Sequence, residues 1–109
     1  PSPPYFQGRY SNGPVWVEIL GSDLKIDTNV TNNFAIGGST SGNTNALSET
    51  LKIPLPSLPD QLDNFNSTPG TPSPDALFIL WAGAHDYLIK PTEQRATDTQ
   101  VVVNNLSNA

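Results

Sequence analysis

A single apolar run limits the folds open to this sequence: Asp75-Ala76-Leu77-Phe78-Ile79-Leu80-Trp81-Ala82, stopped by Gly83. Hydrophobicity that is continuous rather than alternating calls for burial on both faces, which is the pattern of a central strand in a parallel sheet. Such a strand needs layers packed on either side and crossover connections back to its neighbours, so the run selects an α/β layered fold. A shorter candidate strand, Asn33-Phe34-Ala35-Ile36, is stopped by Gly37-Gly38 and fits a buried strand feeding a tight turn.

Helical patterns alternate with these strands. Gly13-Pro14 suits a helix start, because proline at the first turn lacks an N–H that the turn does not need. Trp16, Ile19 and Leu20 follow at i, i+3 and i+4, predicting a helix from about Pro14 to Leu20 that Gly21 ends. Ser57 can cap a second helix, with Asp60 in its first turn and Leu58, Leu62 and Phe65 on one face. A third begins at a cap on Thr97 or Asp98 and places Val102, Leu106 and Ala109 on one stripe. Turn chemistry at Asp27 to Asn33, Ser39 to Asn45 and Asn66 to Pro74 separates the segments.

Composition removes whole classes of function. The 109 residues hold ten acidic and five basic side chains, a formal net charge of −5, and the basic residues Arg9, Lys25, Lys52, Lys90 and Arg95 are scattered. A nucleic-acid binder needs a basic stripe to displace counterions from phosphates, so no nucleic-acid partner is expected. With no cysteine there is no disulfide framework, thiolate metal site or cysteine nucleophile. The longest apolar run falls far short of the roughly 20 residues of a membrane helix, so no transmembrane segment is expected. The start Pro1-Ser2-Pro3-Pro4 has no Met and no signal-peptide pattern, and no stop signal follows the last helix. Residues 1–109 are therefore expected to be an internal part of a single domain.

Ligands of open parallel sheets bind outside the carboxyl ends of the strands, here at Gly37-Gly38-Ser39-Thr40 and Gly83-Ala84-His85-Asp86. Gly37 and Gly38 can simply permit a turn, or can aim an unshielded N–H at a developing anion. Ser39, Thr40 and Ser41 lack the nucleophile-elbow pattern and read as loop and cap hydroxyls. His85 is the sole histidine, placed beside Asp86, with no serine assigned to it by the sequence and no metal-ligand spacing around it. Trp81 can line a substrate pocket or be core. The sequons at Asn29, Asn66 and Asn105 need no explanation beyond the abundance of Asn, Ser and Thr.

Three blocks carry a family resemblance. Gly8-Arg9-Tyr10-Ser11-Asn12-Gly13-Pro14-Val15-Trp16-Val17-Glu18, Asn33-Phe34-Ala35-Ile36-Gly37-Gly38-Ser39-Thr40 and Leu77-Phe78-Ile79-Leu80-Trp81-Ala82-Gly83-Ala84-His85-Asp86-Tyr87-Leu88 resemble, in order and spacing, the SGNH (GDSL-type) hydrolases. The likeness is greatest to their secreted bacterial lipase, phospholipase and haemolysin-like branch. It implies a three-layer α/β/α flavodoxin-like parallel sheet, here partial and lacking its first and last strands, and hydrolysis of carboxylic esters of small molecules or lipids through an acyl-serine, without a cofactor. It also implies a secreted or periplasmic location. The family's Gly-Asp-Ser-Leu and Asp-x-x-His blocks are absent from this chain, so no catalytic nucleophile or base is present. The resemblance makes Gly38 an oxyanion-hole donor and places His85 where the family's Asn supplies another; Trp81 would stand near the substrate.

Histidine at that position is a departure. A neutral imidazole donates through one nitrogen, but its tautomer must be fixed by a second hydrogen bond. The departure leaves open a non-catalytic, glycan-binding or adhesive relative as the alternative to an esterase. In the flavodoxin-like order the strands at Asn33 and Leu77 flank a strand outside this sequence, so the isolated chain is expected to be inactive and unstable.

Overall fold

The computed structural model describes residues 3–26, 32–88 and 98–109. They fall into two compact units, divided after Asn33.

The first unit is a looped segment leading into helix α1 (Trp16–Asp23). The loop closes through Phe6 N–H to Ser11 O at 2.8 Å and Arg9 N–H to Phe6 O at 2.9 Å, with Tyr5 edge-on to Tyr10. Its guanidinium holds it to the helix. Arg9 Nε and Nη2 donate to the two oxygens of Glu18 at 2.7 and 2.6 Å, a fork geometry that only arginine offers. Glu18 Oε2 also accepts the Val15 N–H at 2.8 Å, so this third helical residue caps its own helix while gripping the loop. Those two donors, Arg9 first, hold the Glu18 carboxyl down at about 2.

Helix α1 differs from the expected Pro14–Leu20 at both ends. It starts two residues later, capped through Glu18, and runs through Gly21, which is buried inside it. The stop is Lys25, in the left-handed region at φ 56°. Ile26 N–H reaches Gly21 O at 2.8 Å and Lys25 N–H reaches Ser22 O at 3.1 Å, the paired bonds of a Schellman ending.

The second unit contains α2 (Ala46–Leu51), α3 (Leu58–Asn66), a 3-10 turn at Ala84–Asp86 and α4 (Thr99–Ser107). Helix α3 forms where Ser57 and Asp60 predict it. Ser57 N–H and Oγ–H both donate to Asp60 Oδ2, at 2.8 and 2.6 Å, and Leu58 is buried. Helix α4 is capped by Asp98, whose Oδ1 accepts Gln100 N–H at 2.8 Å; the other expected cap, Thr97, lies outside the described residues. Val102 is buried as the stripe requires, but the helix ends at Ser107 and does not include Ala109. Helix α2 is absent from the sequence expectation, which had placed Asn45 in a loop. Asn45 Oδ1 accepts Leu47 N–H at 3.0 Å, an ordinary N-cap.

Among the described residues the expected parallel sheet is not formed. Among the described residues the β pairing is one isolated antiparallel bridge, Ser39 to Asn45. Residues 33–36 and 76–83 take no helical or ladder conformation, and Leu77 and Phe78 are 61% and 63% exposed. A strand with two apolar faces is buried only when neighbours and layers cover it, and no partner strand is supplied among these residues. One aromatic chain links the two segments: Phe65 of α3 stands edge-on to Phe34 at 5.6 Å and to Phe78 at 5.8 Å.

What the unit buries instead is polar. Leu58 and Val102 are its buried hydrophobic side chains among the described residues, beside Ser39, Thr40, Ser41, Asn45, Ser57, Gln61 and Asp86. No buried side-chain nitrogen or oxygen among them lacks a hydrogen-bond partner, the condition under which polar groups tolerate burial.

Candidate functional site

The loop 37–45 is tied at nearly every position. Thr40, 1% exposed, donates its N–H to Thr44 O at 3.0 Å and its hydroxyl to the same oxygen at 2.9 Å. Ser39 Oγ–H faces Ile36 O at 3.1 Å and Pro56 O at 3.0 Å, and accepts from Gln61 Nε2. Gln61 Oε1 takes the Ile36 N–H at 3.0 Å. Asn45 Nδ2 donates to Gly37 O and Pro56 O, at 3.1 and 2.9 Å. These hydroxyls are occupied as loop and cap groups, in keeping with their reading from sequence. Gln61, off the Leu58, Leu62 and Phe65 face of α3, is buried because it links the helix to this loop.

Gly38 lies at the centre, buried, with φ +91°. A Cβ there would stand 2.5 Å from Asn45 Oδ1 and 2.7 Å from Leu47 Cγ, so conformation and space both demand glycine. Its carbonyl accepts Ala46 N–H at 2.8 Å, while its own N–H has no acceptor among the described residues. Backbone N–H groups at buried positions are paired in the great majority of cases.

The second loop is built on Gly83, also buried and left-handed at φ +109°, where a Cβ would meet Val102 Cγ1 of α4 at 3.4 Å. It starts the 3-10 turn, with Asp86 N–H on Gly83 O at 3.2 Å. His85 is half-buried, and its ring has no hydrogen-bond partner among the described residues. The Asp86 carboxylate accepts Ser41 N–H at 2.8 Å and Ser41 Oγ–H at 3.0 Å. The structure thus brings the Gly38 loop and the His85 turn together through Asp86, a residue the sequence reading noted only as the neighbour of His85.

Trp81 is 80% exposed, so it is not core. A depression of about 350 Å³ lies beside Ser41 and Asn105. Neither Gly38 nor His85 borders that depression. Among the described residues no group of three His, Asp or Glu side chains could hold a metal ion, and no helix is long and apolar enough to cross a membrane.

Two tight glycine turns, one with an open N–H and one presenting a histidine, held together by a buried carboxylate, coincide with two of the blocks that carry the sequence resemblance. The match to the GDSL-like Lipase/Acylhydrolase family extends over residues 2–109. The chain belongs to that family. It is 37% identical over 116 aligned positions to a phosphatidylcholine-sterol acyltransferase from Aeromonas hydrophila, an alignment that takes in 98% of this chain and 32% of the relative. The chain thus spans about a third of that relative's length. No solved structure matches.

Proposed function

We propose that this GDSL chain is an internal part of a single serine ester hydrolase domain and supplies two donors of its oxyanion hole, the Gly38 N–H and the His85 ring N–H. The nucleophilic serine and the base with its carboxylate belong to sequence outside residues 1–109. The observation that carries the reading is Gly38: buried, left-handed, unable to accept a side chain, and with an N–H that no described acceptor takes. A donor held in place and left unpaired is suited to a charge that develops only in the transition state.

In this reading the serine hydroxyl adds to the ester carbonyl as the base takes its proton. The carbonyl oxygen becomes an oxyanion facing Gly38 and His85, and collapse of the adduct expels the alcohol, which takes up that proton. Water then releases the acid. His85 contributes a ring N–H as its donor.

Two further features support the fuller architecture. The apolar runs at 33–36 and 76–82 are bridged by Phe65 of α3, in keeping with two strands of a flavodoxin-like α/β/α sheet that share one covering helix. The same reading takes the protein as secreted or periplasmic and acting on lipid or small-molecule esters, with the family resemblance as its support.

A second reading is favoured by the name of the Aeromonas hydrophila relative, an acyltransferase: an alcohol such as a sterol, rather than water, resolves the acyl-serine. The two differ in product, a sterol ester in place of a free acid. Turnover of p-nitrophenyl esters by the full-length protein tests the donor assignment. His85→Ala is expected to lower kcat by about 10²–10³, and an unchanged kcat overturns the role of His85.

A further inference from the structure

We infer that Asp86 is a positioning residue that sets the distance between the two oxyanion donors by clamping Ser41 to the His85 turn. The inference rests on the donor reading of Gly38 and His85 given above.

Asp86 is 7% exposed and stands at the end of the 3-10 turn that begins at Gly83. Both of its oxygens are engaged, and both engage one residue 45 positions away: Oδ2 takes the Ser41 N–H at 2.8 Å and Oδ1 the Ser41 hydroxyl at 3.0 Å. Two bonds to one residue fix orientation as well as separation, which a single bond does not. Ser41 is three residues from Gly38 within a loop whose other positions are bonded to Thr44, Pro56 and Gln61. His85 directly precedes Asp86 in the rigid turn. Holding Ser41 to Asp86 therefore holds Gly38 relative to His85.

A third element secures the arrangement from behind. Asn105 of α4 donates its Nδ2–H to Ser41 Oγ at 3.1 Å, so the hydroxyl gives its proton to Asp86 and receives one from Asn105. Val102, three residues earlier on the same face of the helix, is the side chain that a Cβ on Gly83 would meet. One helical face thus backs both turns, through Val102 at the His85 turn and through Asn105 at the Gly38 loop. Among the described residues no ion pair to Asp86 is present, and the donors its carboxylate accepts are the two of Ser41. A buried carboxylate solvated by two donors of one loop is stable only while that loop stays in place.

The test uses the full-length protein. Asp86→Asn keeps an acceptor for the Ser41 N–H but puts an NH₂ opposite the hydroxyl, and Ser41→Ala keeps the N–H bond and removes the hydroxyl. Active sites are counted by stoichiometric reaction with a fluorophosphonate, and kcat and KM for p-nitrophenyl butyrate are expressed per reactive site. A loss of folded protein lowers the site count and leaves kcat per site alone. The clamp predicts a fall in kcat per site of about 10²-fold for Asp86→Asn, on the scale that a 1 Å misplacement imposes, a smaller fall for Ser41→Ala, and KM within about threefold. It further predicts that Asp86→Asn costs much less in a His85→Ala background, because the two act through the same donor. If His85→Ala lowers kcat but neither Asp86→Asn nor Ser41→Ala changes kcat per site, the clamp is overturned and the donor reading stands. Full additivity of the two losses overturns it equally. If His85→Ala itself has no effect, the donor reading has failed.

Discussion

Gly38→Ala is the substitution whose cost can be worked most directly from the structure. The new Cβ meets Asn45 Oδ1 at 2.5 Å and Leu47 Cγ and Cδ1 at 2.7 and 2.9 Å, well inside contact distance. Asn45 cannot retreat freely, because the same side chain caps α2 and donates to Gly37 O and Pro56 O. Left-handed backbone costs a residue with a Cβ about 1–2 kcal/mol, and overpacking of a filled site adds about 1–3 kcal/mol. The total is about 2–5 kcal/mol, or a fall in Tm of roughly 4–20 °C for a domain of 150–250 residues. Gly42→Ala is the control in the same loop: its Cβ would make ordinary contact, 3.6 Å from Asn105 Nδ2, and the change is expected to stay within about 0.5 kcal/mol. Thermal and denaturant unfolding of the full-length protein measures both. A Gly38→Ala protein as stable as Gly42→Ala would refute the description of the loop as closed around a position that only glycine can occupy.

Two more outcomes follow from the bonding network. Gln61→Leu removes the acceptor of the Ile36 N–H and a donor to buried Ser39, and is expected to cost about 1–3 kcal/mol by denaturant midpoint; a neutral result would mean that α3 does not hold the loop. Glu18, held at about 2 by Arg9 and the Val15 N–H against an ordinary value of 4.5, has a folded value below its unfolded one. Its contribution to stability is therefore complete above the unfolded value and is lost as pH falls from about 4.5 through about 2. Denaturant midpoints of wild type and Glu18→Gln should differ at neutral pH and converge across that window; a constant difference would refute the Arg9–Glu18 lock.

Local signals were read well where they are local in physics. Ser57 with Asp60, and Asp98 with Gln100, mark helix starts because a cap acts within three residues, and α3 and α4 begin where they point. The apolar run at 76–82 was equally visible, but pairing is a property of two segments, and Leu77 to Trp81 stay exposed. Gly21 misled because glycine is the usual residue at a helix end, whereas here Lys25 takes the left-handed position. Asn45 carried a readable cap signal ahead of α2 that was absorbed into a turn. The link from Asp86 to Ser41 lies outside local reading altogether, since it joins residues 45 positions apart. Patterning also assigns Ser, Thr, Asn and Gln to the surface, and among the described residues they form most of the buried side chains.

The central claim, that the Gly38 loop and the His85 turn together form an oxyanion hole, is tested most directly by comparing kcat per reactive site of His85→Asn and His85→Ala in the full-length protein. The account predicts that the amide, which can donate, keeps or raises the wild-type rate while the alanine loses about 10²–10³. Equal rates for the two variants would contradict it.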